Sequence, residues 1–347
     1  MRVLQAMAGA AHGGAEAFFE RLSVGLARAG LEQRVLIRRN AERAQRLRGQ
    51  GVNVVELPFG GLFDFATPLG FRRQISSFRP QVVLTWMNRA TRFCPKGGGR
   101  YVHAARLGGY YDLKYYRACD HLIGNTPDIV AWLVGQGWPP ERATYLPNFA
   151  DARPGKPLPR DSFSTPPEAK RVFALGRLHQ NKAFDVLLKA MPGLPGVYLW
   201  LAGEGPLRAE LEKLAAELGV VDRVRFLGWR DDAGDLYVSA DAFVCPSRHE
   251  PLGNVVIEAW AQGRPVVAAA SQGPSQLIED GRTGLLTRVD DAAALAQAIG
   301  KVLEDPALAA ALGEAGRQAY HAQFAEQAVV ARYLDFFEQV SQGLERR

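Results

Sequence analysis

DAFVCPSRHEPLGNVVIEAWAQG, residues 241–263, opens with an apolar run short enough for a buried strand and closes with an apolar helical pattern ended by Gly263. Two carboxylates, Glu250 and Glu258, bracket the turn between them, eight residues apart. Pro251 and Gly253 suit a helix start. Eight residues of helix rise about 12 Å, so Glu250 is expected just before the helix and Glu258 between one and two turns inside it. Backbone N–H groups from Leu252 to Val255, among them those of Gly253 and Asn254, have no helical partner and favour an anion. A group with hydroxyls at both ends and negative charge in the middle fits that spacing. Acids that simply face solvent are the plain alternative, although a Glu on an apolar helix usually needs a partner.

Strand–turn–helix units of this kind recur along the chain. RVLQAM, QRVLIRR, VNVVELP, QVVLTWM, RYVHAA and DHLIGNT read as parallel strands of a first domain, 1–150, with a helix from about Ala15 to Ala29 and another opened by Thr126-Pro127-Asp128. Residues 151–170 hold Pro154, Pro157, Pro159, Pro166 and Pro167 and no apolar period, which marks a linker. RVFALG, VYLWLAG, RVRFLGW, DAFVCPS, PVVAAA and GLLTRV then rebuild the alternation in a second domain, 171–320. The fold class is α/β with two doubly wound, Rossmann-like domains, and ligand is expected outside the carboxyl ends of the strands.

The 347 residues, 47% of them hydrophobic, are enough for two cores. Cys94, Cys119 and Cys245 are too scattered to form a metal or disulfide pattern, which points to a reducing, cytoplasmic setting. No apolar run approaches the roughly 20 residues of a membrane span. Charge divides the halves. Residues 1–150 carry 20 Lys and Arg against 10 Asp and Glu, and the remainder carries 22 against 26, giving +6 in all. The first half, with Arg34, Arg38, Arg39, Arg43, Arg46, Arg48, Arg72, Arg73 and Arg79, suits an anionic surface, or is a solvated Arg-rich face. Beside it, PFGGLFDFATPLGFRR, 58–73, reads either as buried core or as an amphipathic contact with the inner face of a membrane.

The other strand-end loops add candidates. AGAAHGGAE places Gly13 and Gly14 at a strand-to-helix turn, where backbone approaches a ligand closely or merely turns. GRLHQNK puts Arg177 and Lys182 before a helix, as a diphosphate site requires and as ordinary surface charge also allows. LAGEGP sets Gly203 and Glu204 in a tight turn.

Taken in order, GRLHQNK, LAGEGP, FLGW, DAFVCPSRHEPLGNVVIEAWAQGRPVVA and GLL resemble the retaining GT-B glycosyltransferases of family 4 (glycosyl transferases group 1) across most of the second half; HGGAE and VHAAR carry a weaker likeness in the first. The resemblance implies two domains facing across a cleft and a hexosyl transfer from a nucleotide sugar, a UDP-sugar first of all. It implies that Arg177 and Lys182 bind the donor diphosphate. Glu258 binds ribose hydroxyls. Glu250 holds the transferred sugar with backbone N–H groups of Leu252, Gly253 and Asn254. Trp229 and Arg230 border the base, Gly13 and Gly14 close on the phosphate, and His103 faces the donor sugar unless it is structural. Gly203 and Glu204 open toward the same ligand. The last helix, 321–347, packs back on the first domain. The acceptor is a glycan or glycolipid, lipid-linked or of the lipopolysaccharide and polysaccharide kind, met at an anionic membrane surface.

Two departures stand out: Ala183 replaces the Gly that often follows the loop lysine, and QGPSQLI carries Gln276 where many members have Glu. No Asp-x-Asp occurs, so the reaction is expected to need neither a metal nor another cofactor. A nucleotide-sugar epimerase of the same fold is the alternative within the class. A nucleic-acid-binding protein, suggested by the basic first half, lacks a recognition motif, so no nucleic-acid partner is expected.

Overall fold

The computed structural model describes residues 1–10, 13–61, 63–150 and 154–345. Ala11 and His12 of the first glycine turn, Leu62, residues 151–153 of the expected linker and the last two residues lie outside that set. The chain divides into two compact units, Met1–Phe149 with Glu326–Arg347, and Ala150–Ala325.

In the first unit, β1 (Arg2–Met7), β2 (Glu32–Arg38), β3 (Asn53–Leu57), β4 (Val82–Trp86), β5 (Val102–Leu107), β6 (His121–Gly124) and β7 (Ala143–Tyr145) form one sheet in the order β3-β2-β1-β4-β5-β6-β7, parallel throughout. β4, VVLTW, is buried at every position, as a strand covered on both faces must be. The helices are α1 (Gly14–Arg28), α2 (Ala41–Gly49), α3 (Ala66–Phe78), α4 (Met87–Phe93) and α5 (Pro127–Gly135). Thr126 caps α5 by accepting from Ile129 N at 3.1 Å, with Pro127 in the first turn.

The second unit repeats the plan. β8 (Lys170–Leu175), β9 (Val197–Ala202), β10 (Val224–Gly228), β11 (Ala242–Cys245), β12 (Val266–Ala269) and β13 (Leu285–Thr287) run in parallel in the order β10-β9-β8-β11-β12-β13. They are covered by α6 (Phe184–Ala190), α7 (Arg208–Glu217), α8 (Ala233–Ser239), α9 (Asn254–Ala261), α10 (Gln272–Leu277), α11 (Ala292–Glu304) and α12 (Pro306–Gln323). Strand order reverses between β8 and β11, so the loops after those two strands splay apart and leave the crevice in which such sheets bind ligands.

Two boundaries differ from the sequence reading. Residues 154–169, read as linker, pack on the second unit: Leu158 N donates to Ser239 Oγ at 2.7 Å, and the Phe163 ring meets Trp200 edge-on. The apolar tail also divides later. Tyr320 and Phe324 belong to the core around Trp260, whereas α13 (Glu326–Glu345) buries Val329, Tyr333, Phe336 and Phe337 in the core of the first unit. Arg106 Nε donates to Tyr333 Oη at 2.8 Å, and its guanidinium lies over the Trp86 and Phe18 rings.

Candidate active site

Lys182 and Glu250 come from the two loops that flank the strand reversal of the second sheet. The loop after β8 makes one short turn over Gln180–Lys182, then enters α6 through Ala183, which is fully buried and left-handed at φ 52°. That backbone explains why glycine is frequent there, since an L side chain costs roughly 1–2 kcal/mol in this region. The loop after β11 brings Glu250 back toward it, and Lys182 Nζ donates to the Glu250 carboxylate. Lys182 is 23% exposed and Glu250 10% at the side chain, so each is the other's main partner. The sequence reading groups Lys182 with Arg177 instead. Arg177 is exposed and makes no hydrogen bond or ion pair among the described residues.

α9 starts at Asn254, directly after Gly253, so Glu250 precedes the helix and Glu258 lies inside it, as their spacing leads one to expect. Gly253 has φ 70°, a left-handed backbone that favours glycine, and a Cβ there would fall 2.6 Å from Leu277 Cδ1 and push that side chain aside. It provides no side-chain cap, and the first N–H groups of α9 remain without one. Gly273 N donates to the Glu250 carbonyl at 2.6 Å and fixes the 250–253 turn against α10. Leu252 is half-buried and Asn254 exposed. Gln276, on α10, is exposed.

Glu258 lies in the second turn of α9, partly buried, and accepts from Tyr237 Oη at 3.2 Å; the same hydroxyl lies 3.1 Å from Val255 O. Burial pushes the Tyr237 phenol well up, and the Glu258 charge adds to it, so Tyr237 stays a donor. A cavity of about 320 Å³ opens beside Glu258, bordered by Gly155, Asp231, Tyr237 and Gln262. Arg230 Nε donates to Asp232 Oδ1 at 2.8 Å and stacks over Phe163, while Trp229 stands 76% exposed.

The glycine turns serve packing as well. Gly203 has φ 131°, and a Cβ on it would lie 1.9 Å from Gly176 O, so the β8 and β9 loops pass backbone to backbone there. Glu204 is exposed beside them. In the first unit, a Cβ on Gly13 would fall 2.2 Å from a carboxylate oxygen of Glu16, a residue to which the sequence reading gives no role. Glu16 is 7% exposed and accepts from Ala10 N at 2.8 Å. An acid in the first turn of a helix directly after Gly13-Gly14 is the signal available in the sequence.

His103 is the second residue of β5, at the amino end of the strand and 1% exposed, away from the carboxyl end where ligands approach such sheets. Its Nε2 lies 2.9 Å from Thr85 Oγ1. Burial pushes its pKa down to about 4 from the usual 6.5, against the opposing pull of Asp120. The unfolded chain then takes up a proton between pH 6.5 and 4 that the folded chain refuses, so stability falls as pH drops through that window. We expect wild type to lose roughly 2 kcal/mol between pH 7 and 5 from this group. His103→Gln should lose correspondingly less in urea titrations at the two pH values, and an unchanged difference would contradict the assignment.

Among the described residues, no three His, Cys, Asp or Glu side chains converge as a metal site requires, and no helix is long and apolar enough to cross a membrane.

Residues 169–305 match the family described as Glycosyl transferases group 1, and residues 13–109 match the Glycosyl transferase 4-like domain. The lipopolysaccharide core biosynthesis glycosyltransferase LpsE of Rhizobium meliloti strain 1021 is 37% identical over 329 residues, 93% of this chain and 95% of that protein. Among solved structures, a glycosyltransferase from Rickettsia africae ESF-5 superposes with a TM-score of 0.84 at 17% identity, covering 98% of each chain. Anabaena HepE, solved with UDP, superposes with a TM-score of 0.80 at 19% identity, covering 98% of this chain and all of that one. Two parallel sheets with reversed strand order, and sequence matches to this family in both halves, make the chain a glycosyltransferase of the group 1, family 4 type, built on the GT-B fold.

Proposed function

We propose that this enzyme transfers a hexose from a nucleoside-diphosphate sugar, a UDP-sugar first of all, to a lipopolysaccharide core or related lipid-linked glycan, with retention and without a metal. The observation that carries the reading is the Lys182–Glu250 pair beside the uncapped start of α9. A diphosphate at that helix start meets backbone N–H groups and the Lys182 ammonium, with Arg177 as a second cation. Glu250 then turns to hydroxyls of the sugar, and Glu258 to the ribose. The 320 Å³ cavity beyond Glu258 takes the base, with Arg230 and Trp229 at its border.

In the transfer, the bond from the anomeric carbon to the β-phosphate oxygen breaks and the acceptor oxygen bonds to that carbon on the same face. The acceptor proton leaves with the departing phosphate. Charge grows on that phosphate, and a cation 4 Å from it is worth about 4 kcal/mol at an effective dielectric near 20. If about a third of that appears only in the transition state, each cation speeds the step roughly tenfold. NMR of the product tests the stereochemistry: an inverted anomer, or sugar nucleotide converted with no acceptor present, would overturn this reading, the second outcome in favour of an epimerase.

The acceptor side rests on LpsE, whose name places it in lipopolysaccharide core biosynthesis, and on the surface of the first unit. Phe63, Phe65 and Leu69 are 88%, 78% and 69% exposed, whereas Phe59 and Phe71 beside them are buried. Asp64 holds that projection in shape by accepting from Thr67 N at 2.9 Å and Gly60 N at 2.6 Å. Arg72 and Arg73 follow on α3, both exposed; Arg43, Arg46 and Arg48 are committed to Glu20 and Glu56. An apolar tip with exposed arginines behind it suits an anionic bilayer. Phosphatidylglycerol vesicles should pull down wild type in a salt-sensitive manner, and Phe63→Ser with Phe65→Ser should remove most of that binding. Equal sedimentation of both proteins would contradict it.

A further inference from the structure

We propose that Arg248 and Asp185 form a positioning staple that sets the geometry of Lys182 against Glu250. This rests on the donor-site reading above. Arg248 stands two residues before Glu250, and Asp185 three residues after Lys182. The guanidinium donates to both oxygens of Asp185, Nη1 at 2.8 Å and Nη2 at 2.8 Å. It also donates to Asp290 Oδ1 at 2.6 Å and to Gln180 O at 3.0 Å. One side chain therefore ties the loop after β11 to the loop after β8, to the start of α6 and to the turn beyond β13. A backbone bond adds a second tie between the same two loops: His249 N donates to Asn181 O at 3.1 Å.

The fork geometry is specific. Two parallel N–H···O bonds fix the plane of the guanidinium against the carboxylate, which a lysine cannot do. The pairing holds the Asp185 carboxyl below its ordinary range, the Arg248 hydrogen bonds being the largest cause. Lys189 Nζ, 3.4 Å from Asp185 Oδ2, is the other cation facing that carboxylate. Packing does not do the same work from the outer side: a cavity of about 590 Å³ opens there between the pair and Leu211 and Leu214 of α7. The Arg248 and Asp185 side chains are only partly exposed; Arg248 is committed to Asp185 and Asp290, and Asp185 to Arg248 and Lys189. The pair thus acts through the loops it joins, and its strength matters for alignment more than for folding, since partly exposed pairs add little to stability.

Calorimetry with UDP and GDP tests the staple on five full-length proteins: wild type, Lys182→Ala, Arg248→Ala, Arg248→Lys, and the Lys182→Ala/Arg248→Ala double variant. For whichever diphosphate wild type binds more tightly, Arg248→Ala should weaken binding about tenfold or more, because a shift of an ångström in a binding group is costly. Arg248→Lys should recover only part of that. In the Lys182→Ala background the Arg248→Ala effect should shrink to about twofold or less, the non-additivity of residues that act as a unit. Melting temperatures identify any variant that has lost its fold. In that event Asp185→Asn, which keeps the shape of the side chain, takes the place of Arg248→Ala in the same cycle. Full additivity with Lys182→Ala, or wild-type affinity in Arg248→Ala, would overturn the staple. Unchanged affinity in Lys182→Ala would instead remove the donor-site reading, and the staple with it.

Discussion

Lys182→Ala is expected to lower kcat/KM for the donor by about a hundredfold to a thousandfold, the loss of one cation close to a diphosphate at an effective dielectric near 20. The same change strips Glu250 of the ammonium that faces it in the ligand-free protein. Glu250 is 7% exposed, and a carboxylate left nearly buried without its partner costs up to about 3–5 kcal/mol. Lys182→Ala is therefore expected to melt earlier as well as react slowly, and the two effects must be separated. Lys182→Met combined with Glu250→Gln removes both charges together. That protein should recover most of the melting temperature and none of the rate. Wild-type rates in the double variant would mean that the pair is only structural.

Glu258→Gln is the second large effect, and it falls on binding. A carboxylate that accepts from ribose hydroxyls contributes about 1.5–3 kcal/mol through charge-assisted hydrogen bonds. The expected result is a rise of roughly ten- to a hundredfold in the KM for the nucleotide sugar, with a smaller change in kcat, because the ribose is held alike in ground and transition states. The amide keeps one oxygen to accept from Tyr237, 3.2 Å away in the wild type, so the fold should survive. A Glu258→Gln enzyme with an unchanged KM would show that this acid serves α9 alone.

Much of this is legible in residues 241–263. Alternation of apolar strands and helices leads to two parallel sheets, and the expected strand RVLQAM is β1 to the residue. The likeness of GRLHQNK and the E-x7-E segment to the group 1 family leads to the right class of enzyme. What stays hidden depends on contacts far apart in the chain. The ion pair of Lys182 with Glu250 spans 68 positions, and that of Arg248 with Asp185 spans 63, so no local spacing announces either. β7 is three residues long, ATY, and only half-buried, too short for an alternating pattern to mark. A strand read from Arg100 starts two residues early, which puts His103 nearer the end of the strand than its place at the amino end of β5 allows. The segment around Phe63 has no period that separates core from projection; the hydrogen bonds of Phe59 N to Thr67 and of Thr67 N to Asp64 decide it.

Fixed groups of the second unit, Lys182 foremost, are expected to hold the donor diphosphate without a divalent ion. Calorimetric titration of UDP and GDP into the wild-type enzyme in excess EDTA tests this most directly. The preferred diphosphate is expected to bind as tightly in EDTA as in magnesium, and Lys182→Ala to weaken it by the same large factor in both buffers. Binding that appears only when magnesium or manganese is added would contradict it.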